Sequence, residues 1–416
     1  MKEQERTILV GVYPKQSDTH HFDERMNELE ALVETAGGIV TDRVTQAMDH
    51  PRNSTYIGKG KLEELAGMDA DLIVFNAELT PSQLQSITSS LDVPVIDRTQ
   101  LILDIFASRA RSKEGKLQVE LAQLSYTLPR LRGQGQVLSR LGGGIGTRGP
   151  GETKLETDQR HIRRRMTELR RRIEEVSRHR EQYRNRRKEN QAFQLALIGY
   201  TNAGKSTLLN ELTDAGVLME DKLFATLDPT TKKIQLPSGF ECLITDTVGF
   251  IEQLPTTLIA AFRSTLEEAK EADLLLHVVD ASHPESAEHE KAVMEVLREL
   301  KADTIPMLTI YNKRDLMEGT FIASSTKGPS MLVSAKDKDD QQDLLQRIQS
   351  ILTNQFEPYI SRIPASEGHR LFQFKRETIV TYEHFDEETE KYEIRGYAPK
   401  ESALYTELMN RKDEMT

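Results

Sequence analysis

The residues with the most evident chemistry lie between Gly199 and Ser206, where the spacing is that of a phosphate-binding loop. The loop follows an apolar run at 195–198 that predicts a buried strand, and a helical pattern begins directly after it. Gly199 and Gly204 allow a sharp turn in which successive backbone N–H groups face phosphate oxygens. Lys205 can reach the β- and γ-phosphates, and the Ser206 hydroxyl can bind Mg²⁺. The pattern predicts a nucleoside triphosphate site with a magnesium ion.

Two further segments have residue types suited to the γ-phosphate. Asp-Thr-Val-Gly at 246–249 follows another apolar run, so its carboxylate can hold Mg²⁺ through water and the Gly249 N–H can bond the γ-phosphate. Between this segment and the phosphate-binding loop lies a stretch with several hydroxyl side chains. We expect Thr226 to complete the Mg²⁺ shell when the γ-phosphate is present, with Thr230 and Thr231 as the competing candidates.

The base is predicted from Asn-Lys-Arg-Asp at 312–315. The Asp315 carboxylate can accept from both N1–H and the 2-amino group of guanine, whereas adenine would leave a buried charge unpaired. Ser-Ala-Lys at 334–336 follows the next strand, where the Ala335 N–H can meet the guanine O6. Four motifs in this order, each at a strand end, predict a GTPase with GTP and GDP as substrate and product and Mg²⁺ as cofactor.

The complete predicted site has three catalytic residues, Lys205, Thr226 and Gly249, and two metal ligands, Ser206 and Thr226. The predicted nucleotide contacts are Gly199, Tyr200, Thr201, Asn202, Ala203, Gly204, Lys205, Ser206, Thr207, Phe224, Ala225, Thr226, Leu227, Asp228, Asp246, Thr247, Val248, Gly249, Asn312, Lys313, Arg314, Asp315, Ser334, Ala335 and Lys336.

Composition excludes several classes. The 416 residues contain one cysteine, Cys242, so an internal disulfide framework is excluded and a reducing cytoplasm is expected. Apolar runs are short and broken by charge, and nothing resembles a signal peptide, so no transmembrane helix is expected. The ten histidines show no metal-ligand spacing.

The charge is distributed unevenly along the chain. The net charge is −11, yet residues 160–189 contain thirteen Arg or Lys against five Glu, about +8. A basic element on an acidic body indicates one surface that faces a polyanion.

The chain divides into four predicted domains. Alternating strand and helix patterns at 1–112 predict a small parallel α/β domain, and residues 193–360 a doubly wound α/β domain. Between them, residues 113–192 carry two heptad-like stripes that predict an antiparallel helical hairpin with a glycine-rich loop at 133–151. Residues 361–416 predict a small α+β domain with a hairpin at 378–397. The leucines of the first stripe are Leu117, Leu121, Leu124, Leu128 and Leu131.

The glycine-rich loop admits three interpretations. Residues 144–149 formally match a dinucleotide fingerprint, but no strand leads into them, and Pro150 and Gly151 separate them from the next helix. A flexible linker is the simpler alternative. We favour a polyanion contact, because the glycines alternate with Arg130, Arg132, Arg140 and Arg148.

With these motifs, the sequence resembles the HflX family, which comprises ribosome-associated GTPases of the Obg–HflX group. The resemblance covers nearly the whole chain and rests on these motifs: Gly-Tyr-Thr-Asn-Ala-Gly-Lys-Ser (199–206), Phe-Ala-Thr-Leu-Asp (224–228), Asp-Thr-Val-Gly-Phe (246–250), Asn-Lys-Arg-Asp (312–315), Glu-Gly-Lys-Leu-Gln-Val-Glu-Leu-Ala-Gln (114–123) and Gly-Gly-Gly-Ile-Gly-Thr-Arg-Gly-Pro-Gly-Glu-Thr (142–153). It implies a glycine loop that reaches ribosomal RNA, binding to the 50S subunit, dissociation of stalled or stress-damaged 70S ribosomes, and some use of ATP by the N-terminal region.

Position 250 shapes the expected mechanism. Many GTPases place glutamine there to orient the attacking water, whereas Phe250 can neither donate nor accept a hydrogen bond. Another side chain of this protein could substitute, but we expect slow intrinsic hydrolysis that the 50S subunit accelerates.

Two rival functions are weaker. A metabolic enzyme that uses GTP as phosphoryl donor would need a second acid, base or metal cluster, which the sequence lacks. A membrane-recruited switch would bind lipid only peripherally, because the basic helix has few apolar residues to insert. We therefore expect a cytoplasmic monomer with ribosomal RNA and not DNA as its nucleic-acid partner, bound through the glycine loop and the basic helix.

Overall fold

The computed structural model describes residues 4–15, 19–141, 154–189, 192–213, 223–252, 268–317, 319, 321, 323, 328–400 and 402–413, and within these ranges it gives no side chains for 132–141, 154, 179–189 and 409–413. The chain forms two compact units. The first contains the described parts of Met1–Arg178 together with those of Asp221–Asp228, and the second contains those of His179–Glu220, Pro229–Glu252 and Thr265–Thr416.

The first unit is built on a four-stranded parallel sheet, as the alternating sequence pattern predicts. The strands β1 (Arg6–Tyr13), β2 (Ile39–Ala47), β3 (Leu72–Phe75) and β4 (Val95–Asp97) lie in the order β2-β1-β3-β4. The helices α1 (Thr19–Ala36), α2 (Lys59–Ala66), α3 (Pro81–Thr88) and α4 (Arg98–Arg109) connect or follow them. A capping box of Thr80 and Gln83 begins α3, with Pro81 in its first turn.

Two long helices extend the first unit. α5 (Lys113–Leu141) and α6 (Lys154–Glu189) are joined by a bidentate ion pair, in which Arg165 donates to both carboxylate oxygens of Glu120 at 2.6 and 2.9 Å. The loop boundary at 133 is wrong, because α5 continues through Gly133 to Leu141. The remainder of the predicted loop, 142–151, lies outside the described residues, as does Arg148.

The heptad stripe gives only part of the packing of α5. Leu117 is buried as expected, but Val119, Ala122 and Tyr126 are buried as well, whereas Leu121 is only partly covered. A second apolar face of α5 packs against α3 and α4, which is why a single stripe underestimates its buried surface.

The second unit contains the predicted doubly wound sheet, whose six strands lie in the order β10-β9-β8-β5-β7-β6. One core cluster is formed mainly by aliphatic side chains on one face of the sheet, and β6 runs antiparallel to β7 at the edge. The strands are β5 (Gln194–Gly199), β6 (Thr230–Gln235), β7 (Glu241–Asp246), β8 (Leu274–Asp280), β9 (Met307–Asn312) and β10 (Ser330–Leu332), and the helices include α7 (Lys205–Thr213), α8 (Ser286–Glu299) and α9 (Lys338–Thr353).

The C-terminal part of the second unit is a small α+β structure. Strands β11 (Glu357–Pro364), β12 (Ile379–Asp386) and β13 (Lys391–Ala398) form an antiparallel sheet in the order β11-β13-β12, with helices α10 (Gly368–Glu377) and α11 (Ala403–Asp413). The β12–β13 hairpin was predicted, but β11 and α10 were not. Among the described helices, none has the length and apolar character that a membrane crossing needs.

Candidate nucleotide site

The phosphate-binding loop follows β5 and requires glycine at two positions. Gly204 has φ +95°, and a Cβ there would lie 2.2 Å from the Asn312 amide nitrogen. A Cβ on Gly199 would lie 2.1 Å from the Val278 carbonyl oxygen of the neighbouring strand. Both glycines therefore let the backbone pack closely, one against a side chain and one against a strand. The helix α7 begins directly after the loop, at Lys205.

Lys205 is almost fully buried in this loop. Its Nζ donates to the carbonyl oxygens of Gly199 at 3.0 Å and Tyr200 at 2.7 Å. Burial lowers the pKa of Lys205 to about 8, although the nearby Asp246 carboxylate favours the charged form. A phosphate group would favour the charged amine further, so the geometry suits an anionic ligand.

The residues suited to magnesium lie beside Lys205. The Ser206 hydroxyl donates to Asp246 Oδ2 at 2.6 Å, and Asp246 is fully buried at the end of β7. Mg²⁺ prefers oxygen ligands and usually keeps several waters. Two such oxygens next to the loop fit that ion.

The segment that follows β7 is hydrogen-bonded to the phosphate-binding loop. The Thr201 N–H donates to the Phe250 carbonyl at 2.7 Å, and the Phe250 N–H donates to the Gly199 carbonyl at 3.1 Å. A Cβ on Gly249 would lie 2.8 Å from Thr201 Cα and 3.2 Å from Lys205 Nζ. Gly249 is therefore packed directly beside the lysine, where only glycine fits.

The Tyr200 side chain adds a third connection between these segments. Its hydroxyl accepts from the Glu252 N–H at 2.6 Å, and its ring stacks on His289 of α8 at 3.7 Å between centroids. Sequence reasoning placed Tyr200 in the site only as a member of the loop and missed His289. Phe250 itself is 2% exposed, so its side chain packs in the interior.

The residues predicted to read the base are also brought together. Asp315 accepts from the Ser334 hydroxyl at 2.7 Å, and this bond lowers the pKa of Asp315. The Asn312 side chain donates to the Ala203 carbonyl at 2.9 Å and accepts from the Ala335 N–H at 2.9 Å. Asn312 therefore links the phosphate-binding loop to the loop predicted to contact guanine O6.

The two basic members of this motif pair with carboxylates of the same unit. Lys313 has φ +65° and its Nζ lies 2.7 Å from Asp280, while Arg314 lies 3.0 Å from Asp340. Lys336 is exposed. The remaining loop members Asn202, Thr207, Thr247 and Val248 lie in the same unit, and the Thr247 hydroxyl donates to the Leu197 carbonyl at 2.6 Å.

The segment that carries Thr226 belongs to the other compact unit. Phe224 is 2% exposed, and its ring lies 4.6 Å from that of Phe106 in α4. Both carboxylate oxygens of Asp228 are engaged at the start of α5, so a nucleotide contact would require Asp228 to leave those partners. Leu227 is buried and Ala225 is partly buried. The contacts of Phe224 and Asp228 could not be predicted from the local sequence.

The basic residues of the hairpin have two different environments. Arg130 was expected to face a polyanion, and that expectation is wrong: its side chain is 12% exposed, lies over the Tyr126 ring at 3.4 Å and donates to the Leu79 carbonyl at 2.7 Å. Arg163, Arg164 and Arg170 of α6 are exposed, and none of them forms an ion pair within the described part of the chain.

Comparison with known families matches three successive parts of the chain between residues 23 and 313. Residues 23–107 match the family model described as GTP-binding GTPase N-terminal, and residues 109–187 match the GTP-binding GTPase middle region. Residues 194–313 match a model described as 50S ribosome-binding GTPase.

Individual relatives match over nearly the whole chain. The chain is 55% identical to GTPase HflX of Alkalihalophilus pseudofirmus, over 98% of this chain and 97% of that protein. It is 50% identical to GTPase HflX of Caldanaerobacter subterraneus, over 93% and 90%, and 40% identical to GTPase HflX of Escherichia coli, over 92% and 91%. The chain belongs to the HflX family of GTPases.

Proposed function

We propose that this GTPase binds the 50S ribosomal subunit in its GTP state, dissociates stalled or stress-damaged 70S ribosomes, and leaves the subunit after hydrolysis. The match of residues 194–313 to a 50S ribosome-binding GTPase model carries the choice of partner. We further propose that the protein acts as a monomer in the cytoplasm.

The ribosomal RNA contact is assigned to the basic helix and the glycine-rich loop. Arg163, Arg164 and Arg170 are exposed on α6, and their guanidinium groups have no ion-pair partner among the described residues. Phosphate contacts of this kind supply most of the sequence-independent affinity for RNA and weaken with salt. We expect the glycine-rich segment 142–151, with Arg148, to supplement them.

Each part of the site has a separate role in GTP hydrolysis. Water attacks the γ-phosphorus while the bond to the bridging oxygen of GDP breaks, and the departing proton ends on phosphate. Lys205 neutralises charge on the β- and γ-phosphates, and the Gly249 N–H holds the γ-phosphate. Ser206, Thr226 and, through water, Asp246 would hold Mg²⁺, which when bound neutralises charge on the β- and γ-oxygens.

Base selection rests on Asp315. Asp315→Asn replaces one carboxylate oxygen with an amide donor, which suits the 2-carbonyl of xanthine better than the 2-amino group of guanine. We expect the ratio of GTP to XTP affinity to fall by about 100-fold or more. Equilibrium binding of both nucleotides measures it, and retained GTP preference would contradict the assignment.

Cosedimentation tests the partner. The protein with a non-hydrolysable GTP analogue should migrate with 50S subunits. The GDP-loaded protein should not migrate with the subunits. The analogue-loaded protein should not migrate with anionic vesicles. Reversing three charges, as Arg163→Glu, Arg164→Glu and Arg170→Glu, should abolish comigration. The control reverses three exposed arginines of the C-terminal part, Arg362, Arg376 and Arg395. Equal subunit binding without nucleotide, with GDP and with the analogue would refute the proposal.

A further inference from the structure

The segment before β6 supplies a carboxylate to Ser112, which lies 116 residues earlier in the chain and directly precedes α5. Asp228 Oδ2 accepts from the Arg111 N–H at 3.0 Å and from the Ser112 N–H at 2.7 Å. Asp228 Oδ1 accepts from the Ser112 hydroxyl. The Ser112 hydroxyl in turn accepts from the Gly115 N–H at 2.8 Å, which makes Ser112 the cap of α5. Asp228 thus completes the N-terminus of α5 from a distant segment.

A carboxylate suits this position for two reasons. The first backbone N–H groups of a helix have no partner within the helix, and the helix dipole favours a negative charge there. The helix also leaves room for the carboxylate, because a Cβ on Gly115 would lie 2.7 Å from Asp228 Oδ1. Glycine in the first turn, otherwise unfavourable for a helix, is explained by this close approach.

A second contact holds the same segment. The Phe224 ring packs on Phe106 at 4.6 Å with an interplanar angle of 70°, and Leu223 and Leu227 are buried. Phe224 has φ +55°, a left-handed conformation that is costly for an aromatic residue and is retained only where packing compensates. Thr226, the predicted Mg²⁺ ligand, lies between the two anchors, Phe224 and Asp228.

We propose that Asp228 is a positioning residue that couples the loop carrying Thr226 to α5. A change in that loop when the γ-phosphate and Mg²⁺ are bound is then transmitted to the helix whose continuation, with α6, forms the hairpin. The inference rests on the proposed function, since it explains how GTP controls the ribosome-binding hairpin. A ligand shifts such an equilibrium only through contacts that differ between the two states, and we expect the Asp228 bonds to be contacts of that kind.

The test compares 50S affinity in two nucleotide states of the full-length protein. For the wild type, the ratio of affinities with a non-hydrolysable GTP analogue and with GDP measures the coupling. Asp228→Ala should lower this ratio by about fivefold or more, because it removes the link between the loop and the helix.

A second variant approaches the same contact from the helix. Gly115→Ala keeps the carboxylate but displaces it, and it should lower the ratio as well. The matched control is Thr80→Ala, which removes the helix cap of α3 in the same unit and should leave the ratio unchanged. If Asp228→Ala fails to fold, Gly115→Ala decides the question alone.

Hydrogen exchange of the Ser112 N–H separates the two possible failures. In the wild type this amide should exchange at different rates with GDP and with the GTP analogue, and in Asp228→Ala it should lose its protection in both. The proposed function is refuted if the 50S affinity of the wild-type protein is the same with GDP and with the GTP analogue. The coupling by Asp228 is refuted if the variants keep the wild-type ratio, or if the exchange of the Ser112 N–H is independent of nucleotide.

Discussion

Lys205 is an ionisable side chain that is almost fully buried. Burial lowers its pKa to about 8, whereas in an unfolded chain the value is about 10.4. Because the folded value is the lower one, this amine destabilises the unliganded fold below pH 8, and that cost disappears as the pH rises from about 8 to 10.4. A bound phosphate reverses the effect, since it favours the protonated amine.

Nucleotide binding should therefore take up a proton. At pH 9 we expect GDP to bind with uptake of about one proton, because Lys205 is mostly neutral before binding and charged after it. Calorimetry in two buffers of different ionisation enthalpy measures the number. The control is pH 7, where Lys205 is charged in both states and uptake should nearly vanish. Equal uptake at the two pH values would contradict this account, and Lys205→Ala should abolish binding.

Tyr200 supplies a side-chain bond by which the phosphate-binding loop holds the segment after Gly249, in addition to the backbone bonds at Phe250. Tyr200→Phe keeps the ring stacked on His289 and removes only the bond from the Glu252 N–H. One neutral hydrogen bond contributes about 0.5–1.5 kcal/mol, so kcat for GTP should fall roughly two- to tenfold. GDP affinity should not change, because we expect the segment to meet the γ-phosphate, which GDP lacks.

Steady-state hydrolysis and GDP titration check this prediction. Tyr359→Phe is the matched control, since it removes a buried hydroxyl bond in the C-terminal sheet of the same unit. An unchanged kcat, or an equal loss of GDP affinity, would show that Tyr200 serves the loop itself rather than the segment beyond Gly249.

At the scale of elements, Arg130 shows that a basic residue beside a glycine-rich loop can be structural. Its guanidinium donates to the carbonyls of Tyr126 and Leu79 and lies 3.4 Å from Asp97, joining α5 to the ends of β3 and β4. Arg130→Ala leaves the fully buried Asp97 without its cation. We expect it to lower the free energy of unfolding by about 2–3 kcal/mol.

Denaturant unfolding measures this change. Arg163→Ala is the comparison, because that side chain is exposed on α6 and its loss should change stability by less than about 0.5 kcal/mol. The ribosome assay should give the opposite order, with Arg163→Ala weakened and folded Arg130→Ala unaffected. A stable Arg130→Ala variant with weakened subunit binding would restore the polyanion role.

The elements that could be predicted are those whose signal is local. The strand, loop and helix around Lys205 follow from a short apolar run, two glycines and a lysine, and the structure has them in those places. The edge strand β6 could not be predicted, because Lys232 and Lys233 interrupt any apolar alternation. Contacts such as Asp228 with Ser112 join segments far apart in the chain, and no periodicity records them.

For the whole molecule, the absence of glutamine at position 250 matters most. Phe250 is buried, and its backbone is bonded to the phosphate-binding loop through Gly199 and Thr201. The Phe250 side chain cannot orient the attacking water, so the isolated protein should hydrolyse GTP slowly. A partner that fixes the segment after Gly249 and the loop carrying Thr226 would allow the attacking water to be oriented.

We expect the 50S subunit to be that partner and to raise kcat by about tenfold or more, well within the range of about 10³–10⁵ that trans-acting groups reach in other GTPases. Phosphate release measured against increasing 50S concentration gives both the maximal rate and the subunit affinity. The 30S subunit is the matched control, because it offers ribosomal RNA of similar charge without the proposed docking site. Stimulation by 30S equal to that by 50S would reduce the effect to charge alone. An isolated protein that already turns over as fast as with saturating 50S would mean that a group within this chain orients the water after all.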